Sequence, residues 1–173
     1  MTDFNPQPVL VVMGVAGCGK SSLGRLCAQA LGVPMLEGDD HHPPHNLEKM
    51  RNGTPLTDAD RSTWLHTLAQ ELRRHTPGAV LTCSALKLSY RNQLRDAVPG
   101  LRFAFLNLTP EQARTRVAAR PGHVFPVSLV ASQFETLQPP VNEPGVLTLD
   151  AMLPPPTLCQ QVVQWLTQET AHV

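Results

Sequence analysis

An α/β fold, with a parallel sheet covered by helices on both faces, is what this 173-residue sequence predicts. Three observations carry that expectation. Short apolar runs rich in Val and Leu alternate with longer stretches of helical periodicity, the pattern of βα units feeding a parallel sheet. A glycine-rich octapeptide, Gly14-Val-Ala-Gly-Cys-Gly-Lys-Ser21, sits directly behind the first apolar run and ahead of an amphipathic stretch. Many of the 17 prolines (Pro34, Pro43-Pro44, Pro99, Pro110, Pro139-Pro140, Pro154 to Pro156) fall at the ends of runs, where they punctuate without breaking a helix.

Taken in order, the apolar runs at 9–13, 33–36, 79–83, 102–106 and 146–149 are predicted as five strands. Helical spacing predicts helices at 20–31, 58–75, 87–98, 110–119, 127–137 and 158–170. Thr57 or Asp58 is placed as N-cap of the second of these and Thr109 as N-cap of the fourth. No repeat or low-complexity tract divides the chain, and the proline-rich connectors at 139–144 and 154–156 are too short to separate domains, so one domain spanning 1–173 is expected.

Lys+Arg and Asp+Glu number 14 each, so no global basic field exists to hold nucleic acid or an anionic membrane. No apolar stretch approaches the roughly 20 residues that span a bilayer, and the segment before Val9 lacks the basic start of a signal peptide. Cys18, Cys27, Cys83 and Cys159 show neither Cys-x-x-Cys spacing nor a secretory framework, which predicts reduced thiols and a cytoplasmic protein.

The octapeptide fits the phosphate-binding pattern G-x-x-x-x-G-K-[ST], and its position between a strand and a helix is the context that pattern requires. Its glycines let the backbone curl so that successive N–H groups point at phosphate oxygens, helped by the positive end of the following helix. A nucleoside triphosphate is the expected ligand of Gly14, Val15, Ala16, Gly17, Cys18, Gly19, Lys20, Ser21 and Ser22. Lys20 is expected at the β/γ-phosphates and Ser21 at Mg²⁺.

In an open parallel sheet ligands collect beyond the carboxyl ends of the strands. After the second strand, Glu37-Gly38-Asp39-Asp40-His41-His42 packs carboxylates and imidazoles into one turn, and Asp39 is the expected group to accept or orient the proton of a substrate hydroxyl. Two adjacent histidines make a poor zinc site, because neighbours in sequence rarely point at one ion. Arg61 lies in the first turn of its helix, where it opposes the macrodipole, which suggests a ligand role. After the third strand Ser84 and Lys87 stand at a helix entrance, with Arg91 one turn beyond Lys87 on the same face. Arg116 and Arg120 leave one helix face just before a Pro-Gly break, as cations of a lid that closes over a transferring phosphoryl group.

Together these motifs make the chain resemble the small gluconate kinases, relatives of shikimate and nucleoside monophosphate kinases. The resemblance rests on the loop from Met13 to Ser21, Gly38-Asp39 with His42-Pro43 and Asn46, and Lys49-Met50 before Gly53. It continues through Pro55-Leu56, Asp58, Asp60-Arg61, Trp64-Leu65, Cys83-Ser-Ala-Leu-Lys87, Tyr90-Arg91, Gly122-His123 and Ser132-Gln133-Phe134-Glu135. It implies a three-layer P-loop kinase fold with a mobile lid around 116–138, and transfer of the ATP γ-phosphoryl group to the 6-hydroxyl of D-gluconate with Mg²⁺. It also implies a homodimer. Lys20, Asp39, Arg116 and Arg120 are then catalytic, and Asp39, His42, Arg61, Ser84, Lys87, Arg91, His123 and Gln133 bind the acceptor. Two other readings stay open on the residues alone: a small kinase for a different acceptor, and a regulatory module that binds ATP without turnover.

Overall fold

The sheet is organised around the strand that precedes the phosphate loop. The structure, a computed structural model, describes residues 8–75, 78–120 and 126–170. Strand β1 (Val9–Met13) is buried at all five residues, as a central strand covered on both faces must be. It runs parallel to β3 (Ala79–Thr82) on one side, with Val12 opposite Thr82, and to β4 (Arg102–Asn107) on the other, with Met13 opposite Phe105. Strands β2 (Met35–Glu37) and β5 (Val146–Asp150) complete the parallel order β2-β3-β1-β4-β5.

The helices are α1 (Lys20–Leu31), α2 (Pro44–Arg51), α3 (Asp58–Arg74), α4 (Leu88–Ala97), α5 (Pro110–Ala118), α6 (Ser128–Thr136) and α7 (Pro155–Thr170). Winding reverses at β1: the chain passes from β1 to β2 in one direction and from β3 to β4 in the other. Right-handed crossovers then put helices on both faces, and α1 packs with α7 while α3 packs with α4. The crevice at that reversal, beyond the carboxyl end of β1, is where this architecture binds ligands.

All five predicted strands and all six predicted helices are present, with shifted ends that have local causes. Gly32 closes α1 at φ 67°, and the N–H of Val33 bonds back to the carbonyl of Ala28 at 3.1 Å. Val33 therefore belongs to the helix stop, and β2 begins at Met35. Helix α2 was not anticipated because Pro43-Pro44 reads as a break, yet Pro44 occupies the first helical turn, where the missing N–H costs nothing. The same rule starts α7 at Pro155. Thr57, not Asp58, caps α3: its hydroxyl accepts from the N–H of Asp60 (3.1 Å), while the Asp60 carboxylate accepts from the N–H of Thr57 (2.9 Å). Thr109 and Gln112 make the same reciprocal cap at α5. No described helix is long and apolar enough to cross a membrane.

Candidate active site

The chain leaves β1 and curls into the loop that feeds α1. Gly17 and Gly19 sit at φ 81° and 98°, in the left-handed region that disfavours other residues. Helix α1 has no side-chain cap and no acid in its first turn, so its N-terminal amides face outward as an anion site. The Lys20 ammonium folds over the loop and donates to the carbonyls of Gly14 (3.0 Å) and Val15 (3.1 Å).

Not every expected loop residue offers a donor. The N–H of Gly14 bonds to the carbonyl of Ser84 (3.3 Å), and that of Cys18 to the carbonyl of Val15 (3.2 Å). The N–H of Ala16 donates to Oε1 of Gln133 at 2.6 Å. These three residues spend their amides within the protein. Among the described residues of the loop, the amides of Val15, Gly17, Gly19, Lys20, Ser21 and Ser22 make no such bond.

Beyond β2 the chain tightens into a 3-10 turn, Gly38–His41. A Cβ on Gly38 would lie 2.2 Å from the carbonyl oxygen of Thr82, so only glycine lets this turn press against the end of β3. The carbonyl of Gly38 is held by the indole N–H of Trp64 at 2.8 Å. Glu37 is tied back to the sheet, accepting from the hydroxyl of Thr82 at 2.7 Å. With its neighbours anchored, Asp39 projects into the cleft, its side chain 81% exposed.

His42 stands behind Asp39 with Nε2 at 3.7 Å from Oδ1. Its ring stacks on Trp64, centroids 4.1 Å apart, and its Nδ1 lies 3.3 Å from Nδ2 of the buried Asn46. The same Asn46 amide donates to the carbonyl of Asp60 at 3.2 Å. A carbonyl takes only a donor, which fixes the amide's orientation and makes the His42 Nδ1 an acceptor. A neutral imidazole then carries its proton on Nε2, the nitrogen that faces Asp39.

The cations divide differently from expectation. Arg61 is buried and borders the cleft, its Nη1 donating to the carbonyl of Leu56 (3.1 Å) and to the hydroxyl of Tyr90 (3.4 Å). Lys87 and Arg91, expected at the acceptor, do not border the cleft. Lys87 pairs with both carboxylate oxygens of Asp58, at 2.9 and 3.2 Å. Arg91 is buried, bound to Glu143 through Nε (2.8 Å) and Nη2 (2.9 Å) and to the carbonyls of Ala85 (2.8 Å) and Gln138 (2.9 Å). That set consumes the donors an acceptor would need.

Arg116, expected at the transferring phosphoryl group, lines the cavity behind the loop. Its Nη1 donates to the carbonyls of Cys18 (3.1 Å) and Gly17 (3.4 Å) and its Nη2 to that of Ala151 (2.8 Å). It ties the back of the phosphate loop to the turn after β5 and does not border the main cleft. Arg120 does, together with Ser84 and Gln133. His123 and the Pro-Gly break lie outside the described residues.

The main cleft, about 300 Å³, thus collects Ala16, Gly17, Gly19, Lys20, Ser21, Asp39, His42, Arg61, Ser84, Arg120 and Gln133 of the expected residues. A second cavity of about 320 Å³ lies behind the loop, between Arg116 and Arg120 on one side and Ala151, Leu153, Pro155 and Leu158 on the other. Trp64 and Asn46 order the acid turn although no site role had been expected of them. Asn46 follows His42 by one helical turn, a signal usable only once α2 is seen to start at Pro44.

No family model matches the chain. The gluconokinase of Gluconobacter oxydans (strain 621H) is 40% identical over 163 residues, covering 92% of each chain. The crystal structure of a gluconokinase from Sinorhizobium meliloti 1021 superposes with a TM-score of 0.88 at 40% identity, over 96% of this chain and 95% of that one. A shikimate kinase from Acinetobacter baumannii in complex with shikimate, 17% identical, superposes with a TM-score of 0.59 over 96% of each chain and shares the P-loop kinase fold. Identity at the level of the first two, sustained over almost the entire length and carried by the same sheet, places this chain in the gluconokinase family.

Proposed function

We propose that this chain transfers the γ-phosphoryl group of ATP to the 6-hydroxyl of D-gluconate, giving 6-phospho-D-gluconate and ADP. The observation that carries the reading is the meeting of Lys20 and Ser21 with Asp39 and Arg61 in one cleft, anion-binding groups on one wall and a carboxylate base beside a fixed cation on the other.

Each residue then has a task. The loop amides and the α1 terminus cradle the phosphates, while the second cavity, with apolar Leu153 and Leu158, suits the base. Lys20 exchanges the loop carbonyls for the β/γ-phosphate oxygens. Asp39, exposed and backed by His42, orients the acceptor hydroxyl and accepts its proton. Arg120 supplies charge to the transferring group from the end of α5, and Arg116 keeps the loop in shape. Mg²⁺ fits this set: the Ser21 hydroxyl and the Asp39 carboxylate are hard oxygen donors in the same cleft, and the ion is commonly held by one or two protein oxygens together with substrate phosphates. Ser21 would hold it, and when bound it offsets charge on the β- and γ-phosphates. The reading includes one domain working as a homodimer in the cytoplasm, supported by family membership and by four unpaired thiols.

A coupled assay with ATP, Mg²⁺ and D-gluconate tests the proposal. ADP release that depends on gluconate, with phosphorus NMR locating the phosphate on C6, is the expected result. Turnover with shikimate or a nucleoside monophosphate but not gluconate would reassign the acceptor. ATP binding without acceptor-dependent ADP release would make the chain a regulatory module.

A further inference from the structure

The cleft contains several cations, and they are not equivalent. Lys20 and Arg120 belong to the phosphate side, and Arg51 is exposed at the end of α2. Arg61 is the buried arginine of the cleft among the described residues. Behind it, outside the cleft, runs a chain of contacts across the packed helices α3 and α4. Tyr90 donates its hydroxyl proton to Oδ1 of Asp58, and the Tyr90 hydroxyl oxygen accepts from Nη1 of Arg61 at 3.4 Å. The guanidinium also lies over the Tyr90 ring, 5.7 Å from its centroid.

A phenol has one proton. While Asp58 takes it, the oxygen can face Arg61 only as an acceptor, which is what a guanidinium requires. Lys87, at 2.9 Å from Asp58, offsets that carboxylate's charge, so Asp58 orients the phenol without neutralising Arg61. The Leu56 carbonyl holds the same nitrogen from the other side at 3.1 Å. One corner of the guanidinium is therefore pinned and its plane is set. Two parallel bonds to a carboxylate need a plane fixed in advance.

We propose that Tyr90 and Asp58 are positioning residues that hold Arg61 as the anchor for the acceptor's carboxylate, and that this relay sets the preference for a sugar acid over a neutral polyol. The inference rests on Arg61 facing the acceptor in the proposed reaction. It explains why Lys87, expected at the substrate, is bound to Asp58: its charge acts at one remove.

The test compares Tyr90→Phe, Asp58→Asn, Asp58→Glu, Arg61→Met and Arg61→Lys with the parent protein. It measures kcat and KM for gluconate and for ATP, melting temperature, and the discrimination between gluconate and D-glucitol. The latter has an alcohol in place of the carboxylate and is used as acceptor or as competitive inhibitor. Arg61→Met is expected to raise the gluconate KM about a hundredfold and to abolish the discrimination, with Arg61→Lys restoring part of it. Tyr90→Phe and Asp58→Asn are expected to raise the gluconate KM about tenfold, with the ATP KM within about twofold and D-glucitol unaffected, and Asp58→Glu to recover most of the loss. If Arg61→Met weakens gluconate but Tyr90→Phe and Asp58→Asn do not, the relay is overturned while the anchor stands. If Arg61→Met leaves the gluconate KM unchanged, the anchor falls and the relay with it. Equal losses for gluconate and D-glucitol in Tyr90→Phe, accompanied by a lowered melting temperature, would reduce Tyr90 to a packing role and also overturn the proposal.

Discussion

Two residues of like charge behave in opposite ways because of what surrounds them. Asp39 is exposed beside the phosphate loop with the proton-bearing nitrogen of His42 behind it, whereas Glu143 is engaged by Arg91 and by Arg95, whose Nη2 lies 2.6 Å away. Asp39→Asn keeps the shape and removes the base. A kcat loss of about a hundredfold or more is expected, with ATP affinity unchanged in a binding titration; an unaltered kcat would return Asp39 to a structural role. Arg91→Ala strips a buried partner from Glu143 while Arg95 remains. A stability loss of about 3 kcal/mol in urea unfolding is expected, with the gluconate KM unaffected in whatever protein stays folded.

Helix termini set the register of the site. Asp60 caps α3 and also takes the Lys49 ammonium at 2.7 Å, tying α2 to α3 next to Arg61. Thr57→Ala removes half of the cap and is expected to cost about 1 kcal/mol in thermal or urea unfolding. The hydrogen bond from Lys49, joined by that from the N–H of Thr57, holds the Asp60 carboxyl well below its ordinary value of 3.8. Burial raises the Glu143 carboxyl, but the bonds from Arg91 and Arg95 outweigh it, and it too lies below its usual 4.5. Both groups are depressed on folding. Their contribution is therefore present in full above the unfolded values and is lost as pH falls through the folded ones. Stability measured from pH 7 downward should hold until about pH 5 and then decline, and Asp60→Asn should flatten part of that decline.

At the scale of the whole molecule, the nucleotide is expected to act as a staple between β1, α1 and the turn after β5, because the loop and the second cavity draw on all three. A non-hydrolysable ATP analogue at about a hundred times its Kd should stabilise the fold by about 2.7 kcal/mol in a thermal shift assay. Lys20→Ala should forfeit most of that gain at the same concentration while leaving the unliganded melting temperature close to the parent's.

Which parts of this were visible in the chain follows from the range of the interactions. The strands, six of the helices, the phosphate loop and the polar turn that carries Asp39 were legible because each depends on residues within a few positions: apolar runs buried on both faces, a glycine spacing, a cluster of polar side chains after a strand. Helix α2 was hidden by a proline pair whose permitted place at a helix start shows only when the start is known. Arg91 and Lys87 carried the spacing of ligand groups, and nothing nearby in sequence betrayed their true partners. Glu143 lies 52 positions from Arg91, and Asp58 lies 29 from Lys87. Local sequence by itself determined the architecture and the phosphate-binding chemistry, since backbone geometry and hydrophobic period are short-range properties. Which cations face the cleft and which are neutralised was decided by packing, because a charge is assigned its role by whichever opposite charge the fold brings to it.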